Sequence, residues 1–142
     1  TSGELIKVSR GMLGNKTGGE AVREIFEIAR RFGCQSLLCG IKAHSKDQSM
    51  LSYSGDSYSV GIDIQVRGRD MKQVMKFADT LFQFTQNCGG KTFLAKDELL
   101  SRELFQSMYP RHNEFLKVKQ QLDPHELFAS DMYRRLLQPV ND

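Results

Sequence analysis

The chain has 142 residues, 39% hydrophobic and 26% charged, which suits one domain with a real core. Its net charge of +3 is weak support for a polyanion partner, so nucleic acid is not expected. No run of about 18 apolar residues is present, which excludes a membrane-spanning helix, and the opening TSGELIKVSR has no apolar signal core.

Residues 4–9, ELIKVS, read as a strand. The glycine-rich RGMLGNKTGG follows, and residues 1–19 are expected to form a flexible N-terminal segment ahead of a domain over 20–142. Lys16 invites comparison with a phosphate loop, but Asn15 stands where that motif requires glycine. Thr17 and Glu20 make a capping box. Ala21, Ile25, Ile28, Ala29 and Phe32 then recur at helical spacing over 18–32, with Gly33 as a stop.

In QSLLCGIKAH, Leu37, Cys39, Ile41 and Ala43 alternate with Leu38, Gly40, Lys42 and His44, as in a strand. A polar loop, SKDQSMLSYSGDS, leads to YSVGIDIQV. There Val60, Ile62, Ile64 and Val66 face one way, and Ser59, Gly61, Asp63 and Gln65 the other. Asp70 and Gln73 open a second helix with the stripe Val74, Phe77, Ala78, Leu81, Phe82 and Thr85, ended by Gly89-Gly90. KTFLA, 91–95, reads as the next strand.

Helical patterns follow over 100–108 and from Pro110 through Phe115, Val118 and Leu122, until Asp123-Pro124 breaks them. Ser130 can cap a last short helix, DMYRRLL. Phe115, Leu122, Leu127, Phe128, Met132 and Leu136 look like packing anchors, and Arg134 and Arg135 like surface charges, either of which could meet a phosphate or carboxylate.

This order predicts an α+β fold. An antiparallel sheet in a split βαβ (ferredoxin-like) arrangement carries helices on one face and a C-terminal helical extension. The helices should cover the Val60 and Ile62 face. The open face should show Ser59, Gly61 and Asp63, joined by Lys42 and His44 if the strands pair in register. Gly61, in mid-strand, suits close approach of a ligand or another backbone. Lys96 is either a solvated strand end or a cation near developing negative charge, and periodicity does not choose. Cys34, Cys39 and Cys88 form no CxxC pair, which suggests reduced thiols in a cytoplasmic protein. The scattered His44, His112 and His125 supply no metal-ligand spacing, so no metal is expected.

Longer motifs add a resemblance. GGKTFLAKD, then FQSMYPRHNEF, then LDPHELFASDMYRRL resemble, in that order, the closing segments of the decaprenylphosphoryl-β-D-ribose oxidases. Those are flavoproteins of the vanillyl-alcohol oxidase class, related to sugar-lactone (D-arabinono-1,4-lactone) oxidases. GIKAH and SYSVGIDIQV are similar more loosely, so the likeness spans residues 20–137.

The resemblance implies the substrate, or cap, domain of an FAD-dependent oxidoreductase. Such an enzyme oxidises a secondary alcohol of a sugar or sugar-like substrate, a sugar phosphate included, by hydride transfer to flavin. The chain's partner would be its own upstream FAD-binding domain, and alone it is expected to be inactive. The resemblance leaves room for peripheral membrane association of the full enzyme. Lys96 matches the lysine beside flavin and substrate, and Lys42 a second lysine on the pocket strand. Asp63 matches an aspartate on the neighbouring strand. The remaining pocket positions depart: His44 replaces an aromatic residue, Ser59 an asparagine, Gly61 a cysteine and Phe93 a tyrosine. The alternative is a stand-alone ligand- or RNA-binding module. It needs aromatic platforms on the open face, where Ser59, Gly61 and Asp63 stand instead.

Overall fold

The computed structural model describes residues 2–9, 12–13, 16–34, 38–53, 55–64 and 68–139, with side chains from Gly18 onward except that of Ile64. Asn15, Leu37, Gln65 and Val66 lie outside the described residues, as do the side chains of Thr17 and Ile64.

Helices and antiparallel strands are mixed in one chain. β1 (Ser2–Ser9), within the segment set apart as N-terminal, pairs along its whole length with β5 (Ser57–Ile64). Its other edge pairs with β6 (Lys91–Thr92), Ile6 opposite Thr92. β4 (Cys39–His44) pairs with the outer edge of β5 and gives the order β4-β5-β1-β6. β2 (Met12–Leu13) and β3 (Lys16–Thr17) form a separate two-stranded ladder in the glycine-rich stretch.

The two long helices follow the apolar stripes. α1 (Gly18–Arg31) buries Ala21, Ile25, Ile28 and Ala29, and α2 (Met71–Asn87) buries all six residues of its predicted stripe. Asp70 caps α2 by accepting the Lys72 N–H at 3.0 Å. Gly33 ends α1 at φ 64°, where the Cys34 N–H reaches the Ala29 carbonyl at 2.8 Å. Gly89 repeats this geometry after α2 at φ 62°.

α2 packs both ways. Phe77 and Leu81 join α1 over Val60 and Ile62 of β5, with Phe32 against Phe77 at 5.8 Å between ring centroids. Ala78 and Phe82 face a second core of Leu100, Phe105, Tyr109 and Leu136. Each large side chain so buried contributes roughly 1.5–3 kcal/mol. The second core is built by α3 (Arg102–Met108), α4 (His112–Leu122) and a π-helical turn, Tyr133–Leu137.

Several expectations change. β6 stops at Thr92, and Leu94–Lys96 form a 3₁₀ turn, so Lys96 is not a strand end. The Lys96 N–H bonds the Phe93 carbonyl, and the Asp97 carboxylate takes the N–H groups of Leu99 and Leu100, which curls the chain away from the sheet. α3 begins after Ser101, whose hydroxyl accepts the Leu104 N–H, and leaves Leu100 as a core residue. Pro110 sits in the turn ahead of α4, not in its first position. Of the expected packing anchors, Leu136 is buried and Phe115 and Met132 pack against the second core, but Leu122, Leu127 and Phe128 are 81%, 78% and 81% exposed and do not anchor the packing. Asp123 accepts the Leu127 and Phe128 N–H groups and, with Glu126 at φ 51°, forms the turn that carries the latter two.

Candidate functional site

The sheet face expected to be open is closed at Ser57 and Ser59, which are buried. Register explains part of this. Lys42 pairs with Ser59, and His44 with Ser57, so all four side chains emerge on one face, as predicted for Lys42, His44 and Ser59. The loop between β4 and β5 then folds over them. Its Tyr53 is buried with its ring between His44, at 5.5 Å, and Phe93, at 5.2 Å, both edge-on. His44 Nε2 lies 2.8 Å from Ser59 Oγ.

The loop is fastened from the far side of the sheet and from α4. Lys91 donates to the Ser52 carbonyl at 2.7 Å and stands over the Tyr109 ring at 4.9 Å. Arg111 donates to the Gln48 carbonyl at 3.0 Å. Burial pushes the Lys91 ammonium pKa down, and the nearby Asp47 carboxylate opposes that shift. Burial pushes the Tyr53 phenol up, and the Ser59 hydroxyl beside it pulls the other way. Tyr109 is raised by burial and then by Tyr53 and Asp97, while its hydroxyl donates to the Thr92 carbonyl at 2.6 Å.

Between loop, β4 and the 3₁₀ turn lies a cleft of about 510 Å³. Lys42, His44, Phe93 and Lys96 line it together, although β5, α2 and β6 lie between the first pair and the second in the chain. Ser59 lies beneath it, reached through His44. Gly61 and Asp63 are not among its lining residues. Gly61 faces Gly40 across the strand pair, and Asp63 is exposed further along β5. Asp47, Leu51, Ser52 and Tyr53 line the cleft without having been singled out from sequence. A tyrosine in a loop of small polar residues was their one legible sign.

The turn that carries Lys96 is locked from behind. The Asp97 side chain is 0% exposed and accepts from Arg135 Nη2 at 2.7 Å, and the same Nη2 reaches the Asp97 carbonyl at 3.1 Å. Arg135 Nη1 also donates to the Leu100 carbonyl. Arg135 is therefore a buckle between the C-terminal turn and the site, whereas Arg134 pairs with Asp131 on the surface as expected.

The cleft thus offers ammonium groups, an imidazole and aromatic edges, a set suited to holding a hydroxylated or anionic ligand against apolar ring faces. Its Lys96 is exposed at the rim.

The fold mixes helices with antiparallel strands, and comparison with known proteins shows its family. Residues 16–136 match the family described as D-arabinono-1,4-lactone oxidase. The decaprenylphosphoryl-β-D-ribose oxidase of Mycolicibacterium smegmatis is 32% identical over 121 residues, 82% of this chain and 25% of that protein. An uncharacterised Streptomyces coelicolor protein from the mprA 5′ region is 28% identical over 86 residues, 61% of this chain and 23% of that one. The chain belongs to the D-arabinono-1,4-lactone oxidase family and spans about a quarter of the length of these relatives.

Proposed function

We propose that this chain is the substrate-binding part of an FAD-dependent oxidoreductase that oxidises a secondary alcohol of a sugar or sugar-like substrate. The observation that carries the reading is the cleft, where Lys42 and His44 from β4 meet Phe93 and Lys96 from beyond α2. The family's name and that of the mycobacterial relative each point to an oxidised sugar derivative. The partner is an FAD-binding domain of the same protein, in keeping with the quarter of its relatives that the chain spans. We read the sheet order, with β1 antiparallel to both β5 and β6, as the split βαβ arrangement.

FAD, when bound, supplies the acceptor for the substrate's hydride. Lys42 holds a hydroxyl or phosphate oxygen of the substrate, and Phe93 and Tyr53 exclude water beneath it. Lys96 places positive charge where negative charge develops. Replacing Lys96 by Ala in the FAD-loaded enzyme should slow flavin bleaching by D-arabinono-1,4-lactone by about 100-fold or more, as for loss of one preorganised charge partner. Rapid-mixing absorbance measures this, and an unchanged bleaching rate removes Lys96 from the reaction.

A further inference from the structure

We infer that Ser59 and Tyr53 are positioning residues for His44, and that His44 so held is a specificity-determining group of the cleft wall. The inference rests on the reading of the cleft as a saccharide site. His44 and Ser59 come from adjacent strands, with His44 Nε2 and Ser59 Oγ 2.8 Å apart. Ser59 is 0% exposed, so its hydroxyl cannot trade that partner for water. Tyr53 closes the other side, edge-on to the imidazole at 5.5 Å and itself braced by Phe93.

An exposed histidine samples rotamers and both tautomers. A ring tied at one nitrogen and packed on a buried aromatic keeps one orientation, with Nε2 committed to the Ser59 hydroxyl. His44 lines the cleft two residues from Lys42 on the same strand face. It therefore offers the ligand a hydrogen-bonding ring held in one orientation beside a cation. A wall of this kind favours a ligand with a hydroxyl or oxyanion there and penalises one lacking it, because the imidazole would be left without a partner. Ser59 and His44 thus act as a pair, and neither does so alone.

The test uses FAD-loaded enzyme labelled with 15N-histidine and D-arabinono-1,4-lactone as probe. In the wild type the His44 Nε2 should show the 15N shift of a hydrogen-bonded nitrogen, and the ring nitrogens should shift on lactone addition. Ser59→Ala should remove the Nε2 hydrogen-bond shift and raise KM about tenfold, the cost of one buried hydrogen bond, with kcat little changed. Tyr53→Phe, which keeps the ring, should move both readouts in the same direction by less. Unchanged ring-nitrogen shifts and KM in both variants overturn the inference while lactone turnover leaves the saccharide reading standing. A kcat loss at constant KM also overturns it. Absence of any lactone effect on the cleft or on the flavin overturns the saccharide reading and the recognition role together.

Discussion

The Asp123 carboxylate accepts the Leu127 and Phe128 N–H groups at 2.8 and 3.0 Å and pairs with the Lys119 ammonium. These partners, Lys119 first, hold its pKa down to about 2. The folded value lies below the ordinary value of about 3.9, so the stabilising contribution is complete above that value and fades as pH falls towards 2. Thermal midpoints measured downward from about pH 5 should fall more steeply for the wild type than for Asp123→Asn, whose side chain does not titrate there. Parallel slopes would remove Asp123 from the acid response. Asp123-Pro124 was legible in the sequence as a helix break. That the same carboxylate builds the turn and leaves Leu127 and Phe128 outside was not, because apolar spacing says nothing about which N–H groups a nearby carboxylate will take.

The Leu94–Lys96 turn depends on an element far along the chain. Arg135 lies 38 residues beyond Asp97, yet its guanidinium binds both the side chain and the carbonyl of that residue. Replacing Arg135 by Met keeps the apolar stem but leaves the Asp97 carboxylate buried without its cation. The expected cost is roughly 3 kcal/mol, read from urea unfolding, and a loss below about 0.5 kcal/mol would show that the ion pair does not hold the turn. The contrast with α1 and α2 is instructive. Their stripes, caps and glycine stops are local patterns, and the periodicity of Ala21 to Ala29 and Val74 to Thr85 fixes which face is buried. KTFLA reads as a strand by the same local rule, but β1 pairs only with Lys91 and Thr92, and the Asp97 clasp wins the rest. In the cleft, Lys42, His44, Phe93 and Lys96 were reached from sequence through the family resemblance. Tyr53 was not, since its role comes from ring contacts with residues 9 and 40 positions away, His44 and Phe93.

At the scale of the whole molecule, α2 is the element that both cores share. Phe77 and Leu81 complete the packing over β5, while Ala78 and Phe82, one position round the helix, complete the packing against Phe105 and Leu136. The cleft lies across the same divide: Lys42 and His44 stand on β4, and Lys96 stands on a turn tied to the C-terminal core through Arg135. The sheet links Lys42 to the Lys96 turn through the β6–β1 pairing, and α2 joins the two cores behind them. Phe82→Ala removes a fully packed ring from the second core only, at a cost of about 3–5 kcal/mol. If the cores form one cooperative unit, amide exchange in β5, which Phe82 does not belong to, should accelerate along with exchange in α3 and by a similar free energy. Fast exchange confined to α3 and the C-terminal turn, with β5 still protected as in the wild type, would mean that the cores open separately. The cleft would then lose its Lys96 side in a local fluctuation that leaves Lys42 and His44 in place.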